Sequence, residues 1–146
     1  MEEKKAKCRQ LRARFSVICV ALVAALGGIS CRTHLERVYN PSHDLGVVTI
    51  ELETMKEAIR GALYKAGWTV VEERPQETIA SVVSGRHSAK ISVSYTSSSW
   101  RIQLMESSPG LQYDGQVIHK RYSFWISRLD RHMRKAVGVA AGLQAK

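Results

Sequence analysis

Four short segments joined by turns of a few residues constrain this chain more than any other feature. They are "WTVVEE" from Trp68, "TIASVVS" from Thr78, "AKISVSY" from Ala89 and "WRIQLME" from Trp100. Pro75-Gln76, Gly85-Arg86 and the serines Ser97 to Ser99 stand between them, and such residues mark turns. Ala89, Ile91, Val93 and Tyr95 alternate with Lys90, Ser92 and Ser94, and Trp100, Ile102 and Leu104 oppose Arg101 and Gln103. Successive strand side chains point to opposite faces, so one face of this sheet is buried and the other largely wet. A parallel crossover needs about a dozen residues or more. The connections are shorter than that, so the strands form an antiparallel meander.

A helix is expected on either side of the meander. In "TMKEAIRGALYKAG", Met55, Ile59, Ala62, Leu63 and Ala66 recur with helical spacing. Thr54 followed by Glu57 has the form of a capping box, and Gly67 suits the helix stop. "GVVTIEL" before it reads as a short extra strand. Near the C-terminus, Ile118, Tyr122, Trp125, Leu129, Met133 and Ala136 form a second apolar stripe, broadened by Ile126, with Asp114 as the expected N-cap. Lys120, Arg121, Arg128, Arg131, Arg134 and Lys135 gather away from that stripe, with Phe124 among them. The expected fold class is α+β: a two-layer domain with an antiparallel meander of about four strands, one helix before it and one after it. It occupies residues 46–137, followed by a tail over residues 138–146.

Residues 1–30 read as an export signal. Lys4, Lys5, Lys7, Arg9, Arg12 and Arg14 precede the uncharged run "FSVICVALVAALGGI", which spans Phe15 to Ile29. That run is shorter than the roughly 20 apolar residues a spanning helix needs. Cys8 and Cys19 would leave with the signal, so Cys31 would be the single cysteine of an exported chain and no internal disulfide could form. Losing six bases and two acids lowers the formal charge from +9 to +5. Residues 118–135 alone carry an equal excess, six bases against Asp130. Export also removes nucleic acid, which the pI of about 9.8 would otherwise suggest, from the expected partners. Residues 31–45, with Asn40-Pro41 and the loop histidines His34 and His43, read as a flexible tether.

"GISC", ending at Cys31, resembles the lipobox of bacterial lipoproteins, with Gly28 where a leucine-like residue is usual. "RHSAKISVSY", "WRIQLMESS", "LQYDG" and "IHKRYSFWISRLDRHM" follow in an order resembling a group of small bacterial envelope lipoproteins whose last helix carries a motif like I-H-K-N-Y-N-x-W. Ile118, His119, Lys120, Tyr122 and Trp125 are its most specific residues. Arg121 and Ser123 replace its asparagines, and Phe124 stands where a polar or basic residue is usual. The resemblance implies a lipidated Cys31 and attachment to a membrane facing the periplasm. Arg32 rather than Asp after the cysteine favours the outer over the inner membrane. The resemblance implies fold and location, not a reaction.

His119 is the best candidate for an active side chain, because imidazole titrates near neutrality. Nothing in the sequence completes a catalytic set around it, so a structural role for Ile118, His119, Tyr122 and Trp125 is favoured. Glycine-rich phosphate loops and paired metal-binding cysteines are absent from the sequence. No cofactor and no metal is expected. The reading is a non-enzymatic, lipid-anchored envelope protein acting as a structural or interaction module through its sheet edge or wet face. The alternative is a periplasmic binding module for a small or lipid-like ligand, held in a pocket between helices and sheet. Lys120, Arg121, Phe124, Arg128, Arg131, Arg134 and Lys135 form the candidate contact with envelope proteins or anionic lipid.

Overall fold

A computed structural model of the chain describes residues 34–142. The segment expected to be an export signal and Cys31 lie outside the described residues, as does the tail beyond residue 142. The described fold is α+β. Strands β1 (Leu35–Arg37) and β2 (Ser42–Asp44) lead to helix α1 (Leu52–Lys65). The meander follows as β3 (Thr69–Arg74), β4 (Glu77–Ser84), β5 (His87–Tyr95) and β6 (Ser99–Ser107). A 3-10 turn (Pro109–Leu111), strand β7 (Val117–His119) and helix α2 (Lys120–Ala140) complete it. The main sheet is antiparallel, ordered β2-β6-β5-β4-β3, and β1 pairs antiparallel with β7 in a separate two-stranded ribbon.

Alternation sets the layers. Ala89, Ile91, Val93 and Tyr95 of β5 are buried with Trp100 and Ile102 of β6. Met55, Ile59, Ala62 and Leu63 of α1 and Tyr122, Ile126, Leu129, Met133 and Val137 of α2 join them in one apolar cluster. Burial of each such side chain is worth about 1.5–3 kcal/mol, so this layer is the main source of stability. Gly67, at φ +80, ends α1 with its N–H on the Tyr64 carbonyl, as glycine at that position suggests.

Residues 34–45 of the segment expected to be a tether are instead sewn into the domain. His43 pairs with Trp100 and Leu35 with His119 in the strand registers. Asn40 Oδ1 accepts from the Leu104 N–H at 3.2 Å and from the Tyr122 hydroxyl at 3.1 Å. Its polarity reflects edge-strand pairing and specific side-chain bonds, which leave no helical or alternating period.

Helix starts also differ from expectation. α1 begins at Leu52, before Thr54, with Glu51 at the N-cap and no side-chain cap. Glu57 turns outward to Arg60 at 2.8 Å instead of closing a capping box. Residues 47–51 form no strand; Ile50 is held by one bond from its N–H to the Ser97 carbonyl. Asp114 does not cap α2. Its carboxylate accepts from the Gln116 and Val117 N–H groups at 2.9 and 2.8 Å, and these bonds hold its pKa below the usual range. Ile118 belongs to β7, and the N-cap of α2 is His119. α2 then runs three residues past the expected end of the domain, to Ala140.

The exposed edges of the main sheet are poorly suited to pairing with another chain. β3 breaks register between Val70 and Glu72 and carries Glu72, Glu73 and Arg74. β2 has only three residues. Bulges, charges and short length are the usual defences of an edge strand, so the sheet edge is a weak site for protein contact.

Candidate functional site

The start of α2 gathers most residues singled out in the sequence. His119 caps the helix with Nδ1, which accepts from the Arg121 N–H at 3.2 Å. Accepting at Nδ1 requires a neutral ring there. Burial, and then the neighbouring His87, Arg121, His34 and Lys120, push the His119 pKa below the ordinary imidazole value. The His87 ring stacks on it, centroids 5.4 Å apart. His87 is itself buried. Tyr122 is fully buried, donates to Asn40, and has its pKa raised by that burial. His119 thus caps α2 and Tyr122 ties α2 to Asn40.

His43 is the residue that sequence reasoning missed. Its Nε2 lies 2.9 Å from Asp130 Oδ1, its side chain is 33% exposed, and its ring sits against Trp100 with centroids 4.3 Å apart. Asp130 is 2% exposed and also receives Arg134 Nε at 3.0 Å. An unpaired buried carboxylate would cost several kcal/mol, which explains both partners. No local signal exposes this set, because His43 and Asp130 are 87 residues apart.

The Asp130 contact takes Arg134 out of the basic group. Lys120, Arg121, Arg128, Arg131 and Lys135 have no acidic partner within 4 Å among the described residues. Arg121 reaches only the Ser84 hydroxyl at 3.4 Å, and Arg128 only the Lys65 carbonyl at 3.4 Å. The acids of α1 and the sheet are engaged elsewhere: Glu53 with Lys56, Glu57 and Glu73 with Arg60, Glu72 and Glu77 with Arg74, Glu106 with Lys90. At 3.6 residues per turn, the five cations span an arc of about 100° on α2. Phe124 lies within that arc and is 65% exposed.

A cleft of about 700 Å³ opens beside this strip, lined by Glu36, Ser84, Arg121, Phe124 and Trp125 among others. Trp125 is half-buried: it packs against the core cluster and also lines the cleft. Trp68 and Trp100 are true core residues. A second cleft of about 600 Å³ lies between the helices on their outer side, with Gly61 and Ala136 near Lys65, Arg131, His132 and Lys135. No group of three or more His, Cys, Asp or Glu side chains suited to a metal occurs among the described residues. No described helix is long and apolar enough to cross a membrane.

No family model, curated protein or solved structure matches the chain.

Proposed function

We propose that the protein is a non-enzymatic, lipid-anchored module of the bacterial envelope that works by contact through helix α2. The observation that carries this reading is the strip of five cations around Phe124 on one face of α2, none with an acidic partner among the described residues. The signal-like segment ending in "GISC" and the I-H-K-x-Y-like motif support the same reading. The blunted sheet edges favour helix α2 over a sheet edge as the contact surface.

Intact mass of the protein from native membranes tests the anchor. A mature start at Cys31 with added acyl mass is expected. A bare Cys31, or retained signal residues, would overturn it.

A second reading, a binding module for a lipid-like ligand, is favoured by one observation. The cleft beside Phe124 has an aromatic wall at Trp125 and a buried Ser123 hydroxyl without a hydrogen-bond partner. Titration with a lysophospholipid below its micelle concentration should then shift tryptophan emission in the native protein but not in Trp125→Phe. An unchanged native spectrum removes this reading.

A further inference from the structure

We infer that the basic strip of α2 seats the domain against the anionic phospholipid headgroups of the membrane that holds it, with Phe124 entering the interface. This rests on the lipid-anchored reading and names the partner of its contact surface.

Three observations converge on a bilayer. First, the strip is one-sided: Lys120, Arg121, Arg128, Arg131 and Lys135 share one sector of a helix of 21 residues, so a single extended surface can face them all. A pocket for a single small anion would need convergent donors, whereas these cations are spread along the axis. Second, Phe124 stands exposed amid the cations. An aromatic flanked by Lys and Arg on a helix face is the arrangement that suits the headgroup and acyl boundary.

Third, the attachment point is close in the chain. The Lys120 N–H donates to the His34 carbonyl at 2.7 Å. Cys31 stands three residues before His34, a reach of at most about 11 Å at full extension. A lipid on Cys31 therefore cannot be far from the first turn of α2. The stitching of β1 to β7 makes this tether short, where a flexible tether of 15 residues, 31–45, would have let the domain roam. Close attachment raises the effective concentration of the strip at the surface.

Each Lys or Arg near an anionic surface shifts the balance toward the seated state by roughly fivefold, less at high salt. An acidic envelope protein is the competing occupant. It would explain the charge, but not the short reach from Cys31.

The test uses the acylated protein reconstituted in vesicles. Acylation occupies Cys31, and Cys8 and Cys19 lie in the signal, so an introduced cysteine is the one free thiol. A spin label on Ser127→Cys reports the strip. A label on Val83→Cys, a position 73% exposed on the outer sheet face, is the control. In vesicles of phosphatidylglycerol and phosphatidylcholine, the Ser127 label should gain oxygen accessibility and lose accessibility to a water-soluble relaxant. In phosphatidylcholine alone it should remain water-like, and the Val83 label should remain so in both. Replacing the five cations with Gln should abolish the difference between vesicles, and Phe124→Ala should reduce it several-fold.

A Ser127 label equally water-exposed in both vesicle types, on protein that still floats with them, overturns the seat and leaves the anchor standing. Protein lacking acyl mass at Cys31 overturns the anchor and the seat together. Unchanged behaviour of the Gln variant also overturns the seat.

Discussion

Replacing Asp130 with Ala tests how the N-terminal segment is fastened to α2. The carboxylate is buried and bridges His43 on β2 and Arg134 one turn further along the helix. Breaking a sealed ion pair costs about 3–5 kcal/mol. Here His43 is one-third exposed and Arg134 is 58% exposed, so both regain water and the loss must be smaller. Hydrogen bonds to an ionised acceptor are worth about 1.5–3 kcal/mol, and alanine returns a few tenths as a better helix former than Asp. A net loss of about 2 kcal/mol is expected, lowering the melting midpoint by roughly 8–15 °C in a domain of this size.

The single variant does not isolate the pair, because the His43 ring also packs on Trp100. A double-mutant cycle with His43→Ala removes that term. Urea unfolding of the wild type, both singles and the double, at one fixed pH, should give a coupling of about 1 kcal/mol. Asp130→Ala should also raise amide exchange over residues 42–44 more than over β5. A coupling within about 0.3 kcal/mol of zero would show that β2 is held by its backbone pairing to β6 alone.

Other outcomes follow from single positions. His119 has a lowered pKa in the fold, so the unfolded chain takes its proton first; its contribution is present above about pH 6.5 and is lost as pH falls through the folded value. His119→Asn can still cap α2 and should flatten the stability profile as pH falls below about 6.5. It should leave the loss below about pH 4.5, where Asp114 and Glu72, both lowered in the fold, take protons; an unchanged slope near pH 6 would refute this. Gly61 is exposed on α1, with nothing within 4 Å of an added Cβ, so Gly61→Ala should stabilise by about 0.5–1 kcal/mol in urea unfolding. Gly110→Ala should cost about 1–3 kcal/mol, since its Cβ would lie 2.9 Å from the Arg86 carbonyl and 3.0 Å from His87 Nδ1; wild-type stability would show that the turn relaxes freely.

Much of the architecture was legible because it is local. Alternation in Ala89 to Tyr95 and Trp100 to Leu104 determined both the strands and their buried face, since neighbouring side chains on a strand must point apart. Turns of a few residues determined their antiparallel order. Helical spacing from Met55 to Leu63 and from Tyr122 to Met133 marked both helices, and Gly67 the end of the first. The arc of cations on α2 follows from the same period.

Helix starts were less legible. Capping patterns such as Thr54 with Glu57 compete with alternatives one turn away, and the bond from the Ile50 N–H to the Ser97 carbonyl helps hold the chain just ahead of α1.

Only the tertiary structure decided the partners that are distant in the chain. Asn40 meets Tyr122 across 82 residues and His43 meets Asp130 across 87. No periodicity links such pairs, because their geometry exists only after the sheet and helices have packed. The same holds for the charges. The sequence determined that α2 is basic, but the fold assigned Arg134 to Asp130 and left Lys120, Arg121, Arg128, Arg131 and Lys135 facing outward around Phe124. It also turned residues 34–45 of the apparent tether into segments that carry two paired strands.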